Sequence, residues 1–215
     1  MNVYPAIALI EYSDIPTGIL CSDAMVKHSP ISMIKTGTVS QAKFLILIGG
    51  SVASVEEAYE EGINRGKSFL LDSLFLPDVH RQVYDALLGN RTGCIGDGIA
   101  VFETKTVATV IRSSDAAVKS ADVDIVEIRM ADSLGGRAFT IFTGKVGDLE
   151  SAIQIAQRSA EEFNALCSCS IIPQLHPEIA KQIDVSTRFS KIEPYFIKDG
   201  EIDNVFRKGN WDSDT

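Results

Sequence analysis

The sequence is poor in positive charge and has no long apolar run. Its 215 residues include 20 Lys and Arg against 29 Asp and Glu, which gives a net charge of −9 at pH 7. Binding of nucleic acid needs clustered Lys and Arg to neutralise phosphates, so we expect no nucleic-acid partner. No apolar run approaches the roughly 20 residues that cross a bilayer, and the first residues lack the features of a signal peptide. We therefore expect no membrane association.

Cysteine is also scarce. The four cysteines do not form a disulfide framework in a chain of this length, which favours a reducing, cytoplasmic location: Cys21, Cys94, Cys167 and Cys169. Cys167 and Cys169 alone are too few for a metal or iron–sulfur site, which usually takes four ligands. We interpret them as one buried and one exposed thiol on a strand, and a redox role for the pair stays open.

No arrangement of residues indicates catalysis. Glu11 and Glu103 end equivalent strands, so we interpret them as polar strand ends rather than an acid–base pair. The glycines near Gly144 do not form a phosphate loop, because Phe139 and Val146 stand where a Walker A motif requires Gly and Ser or Thr. The sequence therefore predicts neither a catalytic residue nor a metal site.

The sequence does contain a long internal repeat. Glu11 and residues 23–27 recur as Glu103 and residues 115–119, and 103 − 11 and 115 − 23 both give 92. Two further matches follow in the same order: residues 43–50 with 137–144 at an offset of 94, and Pro77 and His80 with Pro173 and His176 at 96. Each increase in the offset means that the second copy has two added residues. Added residues belong in loops, where they cost little closure entropy. A repeat of about 90 residues has the size of a small domain, which predicts two fused homologous domains.

Each copy has the pattern strand, helix, strand, strand, helix, strand and short helix. This is the order of the ferredoxin-like fold, an α+β split βαβ with an antiparallel sheet and helices on one face. The first helix of each copy carries apolar residues on one face at matching positions: Ile15, Ile19 and Val26, and Val107, Ile111 and Val118.

The repeat also sets the domain boundaries. We place the first domain at residues 1–90, the second at 97–183, and a C-terminal extension at 184–215. The short linker implies that the two domains lie side by side and pack. An Asp-Gly turn between apolar arms makes a hairpin possible at residues 195–202.

Four stretches, repeated in order, resemble the tandem-domain class of bacterial microcompartment shell proteins, above all those of propanediol-utilisation compartments: residues 8–11, 23–27, 43–50 and 134–137. The similarity covers about residues 4–183. It implies a homotrimer shaped like a hexamer, which tiles with other shell proteins around enzymes and has a central pore for small metabolites or cofactors. In this family the loop before the third strand lines the pore. The matching residues here are Ser40, Gln41, Ala42, Ser133, Leu134, Gly135 and Gly136.

The resemblance also assigns edge residues and bears on a cofactor. Lys27 and Lys119 match the family's lysine at the junction between neighbouring tiles, although a lysine at a helix C-terminus is also favoured for its own sake. The propanediol members carry a cysteine that binds an iron–sulfur cluster on the first helix of the second domain. Val110 stands at the matching position, so we expect no cluster held by that residue.

Taken together, these features predict a non-enzymatic structural protein of a microcompartment shell. The main alternative is a ferredoxin-like regulatory protein that binds an effector between its domains, because a fold does not fix a function. The residues alone rank these two readings nearly equal, and the resemblance favours the shell protein. The compartment type and the metabolite that crosses the pore cannot be read from the sequence.

Overall fold

The structure, a computed structural model, describes residues 6–194, so the hairpin predicted at residues 195–202 lies outside the described residues. The chain divides into two compact units, one ending at Gln174 and the other beginning at Leu175. None of the helices within residues 6–194 is long and apolar enough to cross a membrane. The first unit holds the sheets and long helices of both copies, and the short helix of the second copy belongs to the second unit.

Each copy in the first unit folds in the predicted order around a four-stranded antiparallel sheet. The first copy contains β1 (Ala6–Tyr12), α1 (Ile15–His28), β2 (Met33–Thr38), β3 (Phe44–Gly50), α2 (Val52–Gly66), β4 (Leu70–Leu76) and α3 (Arg81–Leu87). The second contains β5 (Gly98–Thr104), α4 (Val107–Ser120), β6 (Val123–Met130), β7 (Ala138–Gly144), α5 (Val146–Glu161) and β8 (Leu166–Pro173). The strand orders, β2-β3-β1-β4 and β6-β7-β5-β8, are the same. The α+β fold predicted from the repeat is therefore confirmed.

The central strand β1 is buried on both faces. Alternate residues Ala8, Ile10 and Tyr12 lie in one core cluster with side chains of α1 and α2. The residues between them, Ile7 and Leu9, lie in a second core cluster that includes side chains of α3 and of α4 in the other copy. Because side chains alternate across a strand, one face of the sheet packs against α1 and α2, and the other face contacts the second domain.

The apolar faces of the two first helices differ in burial. In α4, Val107 and Ile111 are fully buried. In α1, Ile19 is 58% exposed and Val26 is 50% exposed, and the neighbouring Leu20 is 54% exposed. The sequence predicts the same apolar face for both helices, but within the chain this face is buried in α4 and largely exposed in α1. An exposed apolar stripe of this kind is a candidate surface for contact with another molecule.

The second unit begins with a short helix. α6 (Pro177–Val185) starts after His176, whose ring Nδ1 accepts a hydrogen bond from the Glu178 N–H at 3.2 Å. The repeat-related His80 caps α3 in the same way, through the Gln82 N–H at 3.4 Å. A 3-10 turn, Phe189–Lys191, follows.

Candidate functional site

The first candidate pore loop is a tight turn between β2 and β3. Ser40–Ala42 forms a single 3-10 turn, which the Val39 N–H closes with a hydrogen bond to the Lys43 carbonyl at 2.9 Å. Gln41 and Ala42 both have a left-handed backbone, with φ of 64° and 55°. For residues with a Cβ this conformation costs about 1 kcal/mol each. Both side chains are exposed, so the loop presents an amide and a methyl group at the surface.

The second candidate pore loop joins β6 to β7 and is two residues longer. The Leu134 N–H donates to the Ala131 carbonyl at 3.2 Å within it. Four of its residues have positive φ: Ala131, Ser133, Gly135 and Gly136. Ser133 and Gly135 are exposed, Leu134 is half-buried and Gly136 is buried. The two loops are thus similar in backbone conformation and different in length and chemistry.

The two loops touch each other. Gly136 lies so close to Gln41 that a Cβ added at this glycine would be 2.5 Å from the Gln41 Oε1 atom. The Lys43 ammonium donates a hydrogen bond to the Gly136 carbonyl at 2.8 Å. Gln41 and Gly136, both predicted to line the pore and 95 positions apart in the sequence, therefore lie side by side.

A buried ion pair lies beneath the two loops. The Glu11 side chain is fully buried, and its Oε2 lies 3.5 Å from the Lys43 Nζ. Its Oε1 accepts a hydrogen bond from the Ala108 N–H, in the first turn of α4, at 2.7 Å. Burial raises the pKa of Glu11 from 4.5 to about 7, and the Ala108 N–H and the Lys43 charge oppose this rise. Glu11 therefore titrates near neutral pH, which a polar strand end in water would not do.

The second copy has a related pair in a more open setting. Glu103 and Arg137 match Glu11 and Lys43 in the repeat, and Glu103 Oε1 lies 3.3 Å from Arg137 Nη1. The Arg137 side chain is more than half exposed. The Ser168 hydroxyl donates to Glu103 Oε2 at 3.1 Å. The same carboxylate position is thus enclosed in the first copy and accessible to solvent in the second.

The junction between the copies is formed by β4 of the first and α4 of the second. The Asp72 Oδ2 accepts hydrogen bonds from the hydroxyls of Thr106, at 2.5 Å, and Thr109, at 2.9 Å. The Arg112 Nη2 donates to the Ser73 carbonyl at 2.6 Å. The buried face of α4 and its polar residues at this point therefore both engage the first domain.

The far end of α4 is held by the segment before α3. The buried Asp115 accepts a hydrogen bond from the His80 N–H at 2.7 Å. Asp115 also lies 2.7 Å from Lys119, and Lys119 donates to the Asp78 carbonyl. The repeat motif at residues 115–119 is thus a docking element for the other domain.

Comparison with known proteins agrees with this architecture. The profile of the BMC domain matches the chain twice, over residues 6–79 and 98–175. Over 178 residues the chain is 33% identical to the bacterial microcompartment shell protein PduT of Citrobacter freundii, covering 83% of this chain and 97% of the relative. It is 24% identical to the carboxysome assembly protein CcmO of a Synechocystis species, covering 85% of this chain and 65% of the relative.

A solved structure has the same fold over most of the chain. A microcompartment protein from Desulfitobacterium hafniense superposes with a TM-score of 0.74 at 31% identity, covering 82% of this chain and 98% of that one. The chain belongs to the bacterial microcompartment shell proteins. Its role is structural, as a component of such a shell.

The two lysines that match the family's tile-edge position have different surroundings. Among residues 6–194, Lys27 pairs with Asp23 at 2.6 Å, and its side chain is 73% exposed. Lys119 is 37% exposed and is held at the domain junction by Asp115 and the Asp78 carbonyl. Lys27 is therefore free to contact a neighbouring molecule, whereas Lys119 already has partners inside its own chain.

Val110, which the resemblance matched to a cluster cysteine, lies in the core. Val110 is fully buried in α4, and it is not part of either loop. A thiol at this position would be enclosed by the helix core. Cys167 and Cys169 are both partly buried, which differs from the predicted pair of one buried and one exposed thiol. No group of three or more His, Cys, Asp or Glu residues that could hold a metal occurs within residues 6–194.

Two features of the site were not found from the sequence. Glu11 was interpreted as a polar strand end, and Lys43 was read only as part of a repeated strand. The available signal was the single acidic residue within the apolar run of β1, with a lysine directly before the apolar run of β3. Asp72 gave no signal, because its partners lie on a helix of the other copy.

Proposed function

We propose that three copies of this chain form a closed ring in which six similar domains surround a pore lined by the two loops. The supporting observation is the exposed apolar stripe of α1 (Ile19, Leu20 and Val26), because the matching face of α4 is buried against the first domain. If β8 of each chain receives α1 of the next chain as β4 receives α4, the stripe becomes buried. A head-to-tail contact of this kind closes when the rotation per chain is one third of a turn.

Polar residues at the two junctions support the same arrangement. Within the chain, the carboxylate of Asp72 accepts from the hydroxyl of Thr106 at 2.5 Å. The strand register matches Asp72 with Ser168, and the repeat matches Thr106 with Asp14. At a junction between chains, the Ser168 hydroxyl would therefore face the Asp14 carboxylate. The strand would supply the donor and the helix the acceptor, the reverse of the junction within the chain, and a hydrogen bond would still form.

The ring would bring three copies of each loop around one axis. The exposed groups available to line the pore are the Gln41 amide, the Ser133 hydroxyl and the main chain at Ala42 and Gly135. These groups can replace part of the hydration shell of a small polar molecule. We infer that the pore passes small polar metabolites or cofactors. Because the loops differ in length, the pore has three-fold and not six-fold symmetry.

The edges of the ring would meet other shell proteins. Lys27, which is exposed and close to the end of α1, is the better placed of the two edge lysines for such a contact. We propose that the protein acts as a tile and a pore and catalyses no reaction. The effector-binding alternative has no structural observation in its favour, since packed side chains and hydrogen bonds occupy the described junction between the domains.

Mass measurement in solution tests the ring. Wild type is expected to have the mass of a trimer in light scattering coupled to size exclusion. Val26→Glu puts a charge into the buried stripe and should give monomers, because a buried unpaired carboxylate is costly. Val52→Glu is the matched control, since Val52 is an exposed valine at the start of α2 and outside the stripe. A monomeric wild type, or a trimeric Val26→Glu variant, contradicts the proposal.

A charge exchange tests which residues meet. Ser168→Asp places a carboxylate opposite Asp14 in the proposed junction and should weaken the trimer by like-charge repulsion. Adding Asp14→Thr recreates the arrangement of Asp72 and Thr106 within the chain and should restore the trimer. If the second substitution fails to restore it, the two junctions are not equivalent.

A further inference from the structure

Glu11 is a fully buried, ionisable and incompletely paired residue at the junction. Its Oε1 has the Ala108 N–H, but its Oε2 has no hydrogen-bond partner in the described part of the chain and only the Lys43 ammonium at 3.5 Å. Lys43 in turn directs its hydrogen bonds to two main-chain carbonyls, those of Gly136 at 2.8 Å and Lys105 at 3.3 Å. Among these contacts of the Lys43 ammonium, Glu11 is therefore the one group with a negative charge.

We propose that Glu11 is a positioning residue for the two pore loops: its carboxylate holds the Lys43 ammonium on the Gly136 carbonyl and releases it on taking up a proton. The ammonium is the link between the loops. Lys43 directly follows Ala42 of the first loop, and Gly136 is part of the second. A change at Glu11 therefore reaches both loops through one side chain.

The charges that face Glu11 support this direction of control. Lys43, just before β3, attracts the carboxylate, as do the N–H groups of Val107 and Ala108 at the start of α4. Asp72, on β4, repels it. Asp72 itself accepts hydrogen bonds from the hydroxyls of α4. Lys43 is thus the one cation that faces Glu11 in the described residues, and the bond that holds the loops together involves that cation.

Thermodynamic linkage makes the effect reciprocal. Lys43 favours the charged form of Glu11, so a proton on Glu11 must weaken the attachment of Lys43 by the same free energy. A buried ammonium without a countercharge is costly, and the flexible lysine side chain can turn toward solvent. The pKa of Glu11, near 7, sets this change in the neutral range. We therefore expect ordered loops above neutral pH and looser loops below it.

The inference rests on the proposed function in one respect, that these loops line the pore; the contacts themselves lie within a single chain. Hydrogen exchange of the assembled protein tests it, read by mass spectrometry on peptides covering residues 39–43 and 131–137. The comparison is between wild type and Glu11→Gln at the same pH, which cancels the intrinsic dependence of exchange on pH. Gln is neutral at every pH and so imitates the protonated carboxyl.

At about pH 8.5 the wild-type loops should exchange roughly tenfold more slowly than those of Glu11→Gln, and at about pH 5.5 the two proteins should exchange alike. Glu103→Gln is the matched control, because it changes the repeat-related carboxylate in the open setting and should behave as wild type. Lys43→Met should show fast exchange at both pH values. A constant ratio of wild type to Glu11→Gln across the range overturns the proposal.

Two further measurements keep the outcomes separate. The carboxyl carbon of Glu11 in wild type, followed by NMR, should titrate near neutral pH, and a midpoint near 4.5 overturns the proposal even if Glu11→Gln fails to fold. Mass measured on the same samples reports the ring. A trimer with pH-independent loops overturns the positioning role alone, whereas a monomer with pH-dependent loops overturns the ring and supports the role of Glu11.

Discussion

Asp23 and Asp115 occupy the same place in the repeat, but only Asp115 is buried, where its Oδ1 accepts the His80 N–H at 2.7 Å. Asp23 is more than half exposed, and in the part of the chain that the structure describes it pairs with Lys27. One motif therefore appears in two states, one engaged with a neighbouring domain and one open. This difference supports the proposed ring, in which the open copy would meet the next chain.

The two aspartates should consequently differ in what they stabilise. Asp115→Ala leaves the His80 N–H without its acceptor and Lys119 without its countercharge, so the free energy of unfolding should fall by about 2–3 kcal/mol. Asp23→Ala should change the folding of a single chain by less than about 0.5 kcal/mol but weaken the trimer. Urea denaturation measures the first effect, and the mass over a dilution series measures the second. Equal effects on folding would contradict the assignment of the two junctions.

Glu11 should make folding stability depend on pH. Burial raises its pKa from 4.5 to about 7, so between these values the folded chain holds a proton that the unfolded chain has lost. The resulting stability is fully present below pH 4.5, decreases as pH rises toward 7, and is absent above that. The whole change is about 3 kcal/mol. In Glu11→Gln this contribution should be missing, so the difference in unfolding free energy between wild type and variant should itself vary with pH.

Urea denaturation at several pH values checks this sign. The free energy of unfolding of Glu11→Gln, relative to that of wild type, should increase as pH rises from about 5 to about 8. Glu103→Gln is the control, because it removes the repeat-related carboxylate from a more open setting beside Arg137. A trend in the opposite direction would mean that Lys43 and the start of α4 outweigh burial at Glu11.

The contact between the two loops should be visible in a pair of glycine substitutions. Gly135→Ala adds a methyl group with no atom within 4 Å, so its cost is backbone strain alone, about 1 kcal/mol at φ of 57°. Gly136→Ala has similar strain at φ of 75° and also places the methyl group 2.5 Å from Gln41 Oε1. Because Gln41 Oε1 is the end of an exposed side chain that can turn away, we expect an additional loss of at most about 1 kcal/mol for Gly136→Ala.

Shortening the partner side chain tests the origin of that loss. Gln41→Ala removes the atom in closest contact, so it should recover part of the stability lost in Gly136→Ala and none of that lost in Gly135→Ala. Thermal unfolding of the single and double variants gives the coupling energy. Additive effects for Gly136 and Gln41 would show that the Gln41 side chain does not lie against residue 136 in solution.

The repeat made most of the fold predictable. Matching offsets fixed the order of elements, the two sheets and the loops before β3 and β7, because insertions fall where the chain is exposed. Burial could not be predicted in the same way. Ile19 and Ile111 occupy matching positions in the repeat, but Ile111 is buried and Ile19 is exposed because α4 contacts the first domain. Glu11 was missed for the same reason, since its partners Lys43 and Ala108 lie far away in the sequence.

The edge role of the lysines is best tested at Lys27. Lys119→Ala removes a partner of Asp115 and of the Asp78 carbonyl, so any effect on assembly would be mixed with a loss of stability. Lys27→Ala removes only an exposed pair with Asp23, which contributes less than about 1 kcal/mol to folding. We expect Lys27→Ala to remain trimeric and to form fewer flat sheets in negative-stain micrographs of concentrated protein. Lys35→Ala is a suitable control, because Lys35 is also an exposed lysine but lies on β2 and not at the end of α1. Sheets of normal extent from Lys27→Ala trimers would exclude Lys27 from the contact between tiles.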